Sequence, residues 1–442
     1  MKIAINIIRI FVGLLFIFSG LVKANDPLGT AYKMEEYFEV WTRDLSSSSF
    51  FLKNALINLF HFLNDHTLFL SISMNAFEII AGAALLLGFR MKLFSWLLLL
   101  LMIFFTILTG YTYKTGQPTN CGCFGDCIKI TPQFSFYKDV LLSVLILIIL
   151  FTRKYIKPLF KPVMNTSLMI LITIFSFGLQ WYSLKYLPPV DCLPFRKGNS
   201  IPEKMKLPAD AILEKKAITF VYIKGGTVTE FPVDKVPTNI KEQGYFFSEK
   251  KEKQDAQGNT TNVAVYVKGG KRIEFTAENF PADFDSTYTM IDRYDKVIVK
   301  GKNNVAPINS FSLIGAAVMD TVTGTETKEE LTPKILSLPQ VLLFFNTELP
   351  KSSPSWKNDL LAIYDEAHRK GIPFYFVYPI RDSAISRYSK FGFANVDALS
   401  LDLTPIRTAA RTNQTLYLLK QGTVAGKWSY ADLDDAKKIV SK

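Results

Sequence analysis

Long apolar stretches dominate the first 190 residues of the chain and then stop. Stretches such as "WLLLLLMIFFTIL" have no polar face, which argues against a water-soluble helical bundle. Five stretches are long enough to cross about 30 Å of hydrocarbon as helices. They lie at roughly 3–22, 68–89, 93–111, 137–152 and 167–186. The pattern predicts a membrane domain of five transmembrane helices over residues 1–187.

Basic residues in the short loops indicate the orientation of these helices. Arg90 and Lys92 lie between the second and third stretches, and "TRKYIKPLFKPVMN" between the fourth and fifth has four basic residues and no acid. Such loops are usually cytoplasmic. We therefore expect the N-terminus inside, and 23–67, 112–136 and everything after 187 outside. The net charge of +12 partly reflects these loops. The sequence has no stripe of basic residues interleaved with aromatic ones, so the charge does not indicate nucleic-acid binding.

The first outer segment contains a second kind of apolar pattern. Phe51, Leu52, Leu56, Leu59 and Phe60 recur at helical spacing. They predict an amphipathic helix that lies at the membrane interface.

An internal repeat follows the membrane domain. The segments "VYIKGGTVTEFPVDKVP" at 221–237 and "VYVKGGKRIEFTAENFP" at 265–281 match closely. Each predicts a strand, a Gly-Gly turn and a second strand, that is, one β-hairpin. Two units this short are expected to pack on each other or on a neighbour. We assign 188–300 to a linker with a two-copy β-hairpin repeat.

Residues 301–442 have the pattern of an α/β domain. Strands are predicted at 341–345 and 374–378, a helix from Ser353 to Gly371, a short helix near 383–391, a hairpin through Gln421–Gly422 and a closing helix from Ser429. This order resembles a thioredoxin-like fold. However, no cysteine occurs between 193 and 442, and Gln414 stands where that family has its cis-proline. A binding or structural role is expected for this domain.

The four cysteines lie on the predicted outer face. "TNCGCFGDCIKI" at 119–130 holds Cys121, Cys123 and Cys127, and Cys192 follows the fifth helix. An oxidising compartment favours disulfide chemistry. A small, strained Cys121–Cys123 ring would suit thiol–disulfide exchange, with Cys127 or Cys192 as resolving thiol. Permanent bridges that tie the loop to the exit segment are the equal alternative. Zinc held with Asp126 is a third, although the usual ligand spacings are missing.

Four polar residues of the membrane domain are candidates for a second site. Glu78 lies near the middle of the second helix and needs a partner inside the bundle, for which Arg9 is the expected choice. The pair is either a structural ion pair or part of a proton path or quinone site. Lys23 and Asp26, at the outer end of the first helix, either line a mouth near the cysteine loop or cap the helix.

Three segments together resemble a known family. They are "FSGLVKANDPLGTAYKMEEYF", "FEIIAGAALLLG" and "CGCFGD". The chain is similar to DoxX/MauE membrane proteins, in particular to long Bacteroidota-type members with a periplasmic thioredoxin-like tail. The family is redox-associated: MauE members are linked to disulfide formation in a periplasmic dehydrogenase, and the fold is similar to that of vitamin K epoxide reductases.

The resemblance implies a protein of the bacterial inner membrane with its C-terminal domain in the periplasm. Its activity would be thiol–disulfide exchange with envelope proteins, with a membrane quinone as the candidate cofactor. The alternative is a non-catalytic subunit that anchors a larger envelope complex, with structural disulfides and a partner-binding tail. Both alternatives stay open at this point.

Overall fold

The computed structural model describes most of the chain. The described residues are 2–118, 125, 127–128, 130–213, 215–224, 226–232, 237–240, 242–254, 260–268, 270–276, 282, 288–299, 305–319 and 326–441. They form two compact units, one of residues up to Met205 together with Ile308–Lys442, and one of Lys206–Pro307. Cys121, Cys123 and Asp126 lie outside the described residues.

Seven α-helices form the N-terminal part of the first unit in the stretches that the structure describes. They are α1 (Lys2–Asn25), α2 (Pro27–Ser46), α3 (Lys53–Asn64), α4 (Thr67–Leu87), α5 (Met91–Thr115), α6 (Pro132–Thr152) and α7 (Pro162–Tyr186). Within the described residues, five of these, α1, α4, α5, α6 and α7, are long and apolar enough to cross a membrane. The prediction of five such helices is confirmed. We call the end where α1, α5 and α7 finish and α4 and α6 begin the cysteine end, because it carries Cys127 and Cys192.

The predicted interfacial helix is present as α3, and α2 is an addition to the prediction. Helix α2 begins because Asp26 accepts a hydrogen bond from the Gly29 amide (2.9 Å) and Pro27 occupies the first helical position. No residue of α3 is buried, and Phe51 just before it is 85% exposed. Exposed apolar residues at this density are typical of a helix that lies in the membrane interface, which remains our interpretation.

Glycines set the distance between α1 and α4. A methyl group on Gly20 would lie 2.9 Å from the Ile79 amide nitrogen, and one on Gly82 would lie 2.7 Å from the Gly13 carbonyl oxygen. The two helices therefore approach backbone to backbone, as membrane helices do where small residues face each other.

The C-terminal part of the first unit is a mixed α/β domain. Its sheet has the order β11 (Ala398–Leu399), β10 (Phe374–Val377), β9 (Val341–Asn346), β12 (Gln414–Lys420), β13 (Thr423–Ser429). Strands β9, β10 and β11 are parallel, whereas β12 runs antiparallel to β9 and to β13. The β12–β13 turn has positive φ at Gln421 (47°) and Gly422 (73°), as a tight two-residue hairpin requires.

Both faces of this sheet are covered, which explains the unbroken apolar sequence of β9. Leu342 and Phe344 pack into one hydrophobic core, and Leu343 and Phe345 into the other. The covering helices are α10 (Lys357–Arg369), α11 (Arg381–Lys390), α12 (Leu403–Ala409) and α13 (Leu433–Ser441). Helix α10 begins four residues after the predicted start at Ser353, and α13 four residues after Ser429. Shorter elements precede the sheet: α8 (Ile201–Lys204), β7 (Ile314–Met319), β8 (Glu326–Glu330) and α9 (Thr332–Leu336).

The second unit contains the repeat, and its strand pairing differs from the prediction. The strands are β1 (Lys215–Lys224), β2 (Thr227–Pro232), β3 (Tyr245–Gln254), β4 (Thr260–Lys268), β5 (Lys271–Thr276) and β6 (Tyr288–Val299). They form two three-stranded sheets, β5-β1-β6 and β2-β4-β3. The two strands of each copy thus pair with the other copy, and the hairpin prediction is wrong. An isolated two-stranded hairpin is marginally stable, whereas this exchange gives β1 and β4 two neighbours each.

The glycine contact between α1 and α4 generates a first prediction. Gly82→Ala should destabilise the protein by about 1–3 kcal/mol, because the new methyl group meets backbone that cannot rotate away. Thermal unfolding of the purified protein in detergent measures this. Gly178→Ala on α7 is the matched control, since a methyl group there meets nothing within 4 Å. Equal melting temperatures for the two variants would contradict the described helix contact.

Candidate functional site

An ion pair is buried inside the helical bundle near the cysteine end. Glu78 on α4 is 1% exposed and Lys23 on α1 is 4% exposed. The Lys23 ammonium lies 2.6 Å from Glu78 Oε1, and the Ser19 hydroxyl donates a hydrogen bond of 2.8 Å to Oε2. Both carboxylate oxygens are therefore satisfied, as a carboxylate in hydrocarbon requires.

The expected pairing of Glu78 with Arg9 is wrong. Arg9 lies 14 residues before Lys23, which is about 21 Å along the helix axis. Its guanidinium is next to Gly88, where a methyl group would lie 3.3 Å from Nη1. Because α1 and α4 are antiparallel with Gly20 against Ile79, Ser19 and Lys23 are level with Glu78 and Arg9 is level with the far end of α4.

A cavity of about 430 Å³ lies beside this ion pair. Helices α1, α2, α4, α5 and α6 line it together with two residues of α3, and most of its lining is apolar or aromatic. Lys23, Ser19 and Glu78 form one polar part of the wall. A second polar part comes from Asp139, which pairs with the ammonium of Lys138 and accepts a hydrogen bond from the Thr109 hydroxyl (3.0 Å). The bundle thus holds an apolar space whose wall includes the charge pairs Lys23–Glu78 and Lys138–Asp139.

A disulfide joins the cysteine loop to the segment that leaves the bundle. Cys127 is bonded to Cys192. The side chain of Asn25, at the end of α1, donates to the Val190 carbonyl (2.8 Å) and accepts from the Val190 amide (2.9 Å). The end of α1 therefore lies against the disulfide. Cys121, Cys123 and Asp126 lie outside the described residues, so the predictions for the Cys121–Cys123 pair and for zinc are untested, and the roles of all four cysteines remain predictions.

The C-terminal domain contacts the cysteine end of the bundle through three ion pairs. Arg411 lies 2.9 Å from Asp26, Arg407 lies 2.7 Å from Glu35, and Lys427 lies 2.7 Å from Asp191. Asp26 therefore has two roles, since it also caps α2. Asp191 is the neighbour of the bridged Cys192 in the sequence.

Tyr32 of α2 lies between the two arginines. The guanidinium carbons of Arg407 and Arg411 are 4.6 and 5.6 Å from its ring centre. Burial raises the pKa of Tyr32 to about 12 although both arginines act to lower it. The tyrosine is neutral at physiological pH and offers both cations an aromatic face.

Sequence reasoning found some members of this site and missed others. Glu78 and Lys23 form an ion pair and Asp26 lies beside Cys127 and Cys192, whereas Arg9 lies at the other end of α1. Arg407, Arg411 and Tyr32 were missed, because nothing in the local sequence indicates a contact across almost 400 residues. Asp139 carried a usable signal, since it is a second carboxylate within an apolar stretch. Among the described residues, no group of three or more His, Cys, Asp or Glu side chains could hold a metal ion.

Comparison with known protein families agrees with the apolar helices described for the N-terminal part of the chain. Residues 1–152, which span α1 to α6, match the family of methylamine utilisation protein MauE. Residues 260–300 match a domain of unknown function, DUF8463. No curated protein and no solved structure matches the chain. Residues 1–152 are therefore similar to MauE-type membrane proteins, which supports the MauE component of the predicted resemblance.

The buried ion pair generates a second prediction. Lys23→Met should cost about 3–5 kcal/mol of stability, because it leaves the Glu78 carboxylate buried without a cation. The double variant Lys23→Met/Glu78→Met should recover most of that loss, since it removes both charges. Unfolding of the single and double variants in detergent gives the coupling between the two positions.

Lys33→Met serves as the control for this cycle. Its ammonium pairs with the half-exposed Glu36 (2.8 Å), a contact worth about 0–1 kcal/mol. If Lys23→Met were no more damaging than Lys33→Met, the pair would not be the buried contact described above.

Proposed function

We propose that this protein is a DoxX/MauE-type component of the bacterial inner membrane that supports thiol–disulfide exchange in envelope proteins. The observation that carries the proposal is the position of the cysteines. Cys127 and Cys192 are bonded to each other at the end of a MauE-type bundle. This pairing leaves Cys121 and Cys123, two residues apart in the same loop, as the pair that exchanges.

The proposed location places the cysteine end in the periplasm. The opposite end carries Arg90, Lys92 and the basic segment 153–161, which supports a cytoplasmic position for that end. At the cysteine end, Trp181 and Tyr182 near the end of α7 are exposed. The ammonium of Lys185 lies 5.1 Å from the Trp181 ring centre. Aromatic and basic side chains of this kind mark a membrane–water interface.

The proposed exchange proceeds in two thiol displacements. A client thiolate attacks one sulfur of a Cys121–Cys123 disulfide, which forms a mixed disulfide and releases the other cysteine as a thiolate. The second client thiolate then attacks the client sulfur of the mixed disulfide. The client leaves with a disulfide, and two electrons and two protons remain on the Cys121–Cys123 dithiol. A membrane quinone, the cofactor that the resemblance implies, would take them up and become a hydroquinone before the next turnover.

We propose a thioredoxin-like but non-catalytic role for the C-terminal domain. Parallel β9 and β10 followed by an antiparallel β12–β13 hairpin support this fold. At the end of β9, where that family carries its cysteines, the Asn346 side chain accepts a hydrogen bond from Tyr388 (2.6 Å) and donates to the Phe344 carbonyl (2.9 Å). Gln414 donates to the Glu348 carbonyl (2.8 Å). These contacts support a structural role for this edge of the sheet. Client proteins would bind to other surfaces of the domain.

One observation favours the alternative of a non-catalytic anchor subunit. The ion pairs of Arg411 and Lys427 hold the C-terminal domain to the bundle through side chains that are almost fully buried. The bridge between Cys127 and Cys192 adds a covalent tie at the same place. In this alternative all cysteines form permanent bridges, and the protein presents a rigid platform to partners.

Single Cys→Ser variants of the full-length protein separate the two functions. With a fluorescent dithiol peptide as reporter, Cys121→Ser and Cys123→Ser should each abolish peptide oxidation while protein abundance in the membrane stays normal. Cys192→Ser is the structural control: it should lower abundance, because losing a structural disulfide costs about 2–5 kcal/mol.

The opposite pattern would favour the anchor subunit. If the purified wild-type protein never oxidises the peptide and all four variants are depleted from the membrane, exchange is excluded.

A further inference from the structure

We infer that Arg9 is the centre of a binding site for the phosphate group of an anionic phospholipid. The site lies at the end of the bundle that carries Arg90, Lys92 and the segment 153–161, which we call the basic end. It rests on the buried guanidinium of Arg9, on the lack of carboxylates around it, and on the exposed side chains of the loop between α6 and α7. Lipid binding at this site is independent of the proposed exchange function.

Arg9 projects from the buried face of α1. It is 8% exposed, and Ile5 and Val12 on the same face lie in the apolar core of the bundle. Its Nε and Nη1 atoms are buried and have no hydrogen-bond partner among the described residues. A charged group inside a membrane bundle requires hydrogen-bond acceptors and a charge of opposite sign. Arg9 therefore needs a partner that the described side chains and backbone do not supply.

The end of α4 does not act as this partner, although Arg9 lies beside it. A methyl group on Gly88 would lie 3.3 Å from Arg9 Nη1. Three of the last four carbonyl groups of α4 already accept hydrogen bonds from other amides. The bonds are those from Phe89 to Ala84 (2.9 Å), from Gly88 to Leu85 (3.2 Å) and from Leu159 to Leu87 (3.0 Å). The dipole of α4 adds only roughly half an elementary charge at this end, which does not balance a full cation.

No carboxylate of the surrounding helices balances the charge of Arg9. Residues 1–25, 79–125 and 140–190 contain no Asp or Glu. Glu78 is ten residues before Gly88 on α4, which is about 15 Å along the helix axis, and it is paired with Lys23. Water can satisfy the N–H donors of a guanidinium, but it brings no counter-charge. An anion from outside these helices is therefore required.

The loop between α6 and α7 adds further positive charge next to this position. The methyl group on Gly88 that would meet Arg9 would also lie 2.8 Å from the Lys157 carbonyl oxygen, so the loop passes beside the guanidinium. The side chains of Lys154, Lys157 and Lys161 are exposed. Phosphate suits such a site, because a guanidinium presents several N–H donors in one plane to phosphate oxygens and the lysines add charge.

Apolar surface around the loop favours a lipid as the source of the phosphate. Phe151 at the end of α6, Leu159 in the loop and Val163 at the start of α7 are 78%, 59% and 79% exposed. Acyl chains would cover these side chains, whereas inorganic phosphate would not. Arg9 is level with the end of α4, a helix of 21 residues, and so lies at the depth where hydrocarbon gives way to head groups. Basic pockets between membrane helices bind anionic head groups in this way.

Binding of dioleoylphosphatidylglycerol to the full-length protein in detergent, measured by native mass spectrometry, tests the site. The wild type should bind this anionic lipid at least about tenfold more tightly than zwitterionic dioleoylphosphatidylcholine. Arg9→Met should weaken binding of the anionic lipid at least about tenfold. Lys114→Met is the matched control, because it removes one positive charge from an exposed position at the cysteine end. Its affinity should stay within about twofold of the wild type.

Thermal unfolding gives a signature that a merely structural arginine would not show. Without anionic lipid, Arg9→Met should unfold at the wild-type temperature or above it, because the variant lacks a buried charge that has no partner. Phosphatidylglycerol should raise the melting temperature of the wild type and of Lys114→Met, and it should leave that of Arg9→Met unchanged. Arg9→Lys keeps the charge without the planar guanidinium, so its response should lie between the two.

The site is refuted if the wild type binds the two lipids equally well, or if Arg9→Met and Lys114→Met respond alike to phosphatidylglycerol. Should Arg9→Met fail to fold, Arg9→Lys takes its place, and wild-type affinity in that variant would refute the site. Inorganic phosphate, added without anionic lipid, should leave the melting temperature of the wild type unchanged. An increase equal to that caused by phosphatidylglycerol would refute the lipid as the ligand.

Discussion

A carboxylate in the interior of a membrane bundle must find its partner within the bundle, and Glu78 finds Lys23. Gly20 and Gly82 let α1 and α4 approach backbone to backbone, and Lys23 reaches Glu78 across this contact. Once formed, it fixes the height of α1 against α4. The last turn of α1 then lies at the cysteine end, where α2 begins at once and the Asn25 side chain meets the exit segment.

Polar contacts connect the end of α1 with the C-terminal domain. Asp26 caps α2 and forms an ion pair with Arg411. Arg407 lies over the ring of Tyr32 and forms an ion pair with Glu35, both on α2. On the exit segment, Asp191 holds Lys427 and Cys192 is bridged to Cys127. Phe195 and Ile201, a few residues later, enter the core of the C-terminal sheet. The membrane helices and the C-terminal domain therefore form one unit, and the bridged cysteines lie where the two parts meet.

The elements with strong periodicity were predictable from sequence, and their mutual arrangement was not. The five apolar helices and the strands β9, β10, β12 and β13 follow from local pattern. The sequence does not predict helix α2, because charged residues interrupt its apolar pattern. Its buried residues include Ala31, Tyr37 and Phe38. Arg9 was paired wrongly because helical depth alone does not reveal the contact register that the glycines impose. Local sequence predicts hairpins for the repeat because strands that are neighbours in sequence usually pair, whereas in the structure the strands of each copy pair with those of the other copy.

Under the proposed function the four cysteines divide into an exchanging pair, Cys121 and Cys123, and a structural bridge, Cys127–Cys192. The oxidation state of each cysteine in intact cells, read by thiol trapping with and without a mild reductant, tests it most directly. Reductant should expose Cys121 and Cys123 to the trapping reagent, while Cys127 and Cys192 should stay bonded because Asn25 and Lys427 hold the segment of Cys192 in place. This division of the cysteines would be wrong if all four stayed oxidised, or if Cys127 and Cys192 were reduced first.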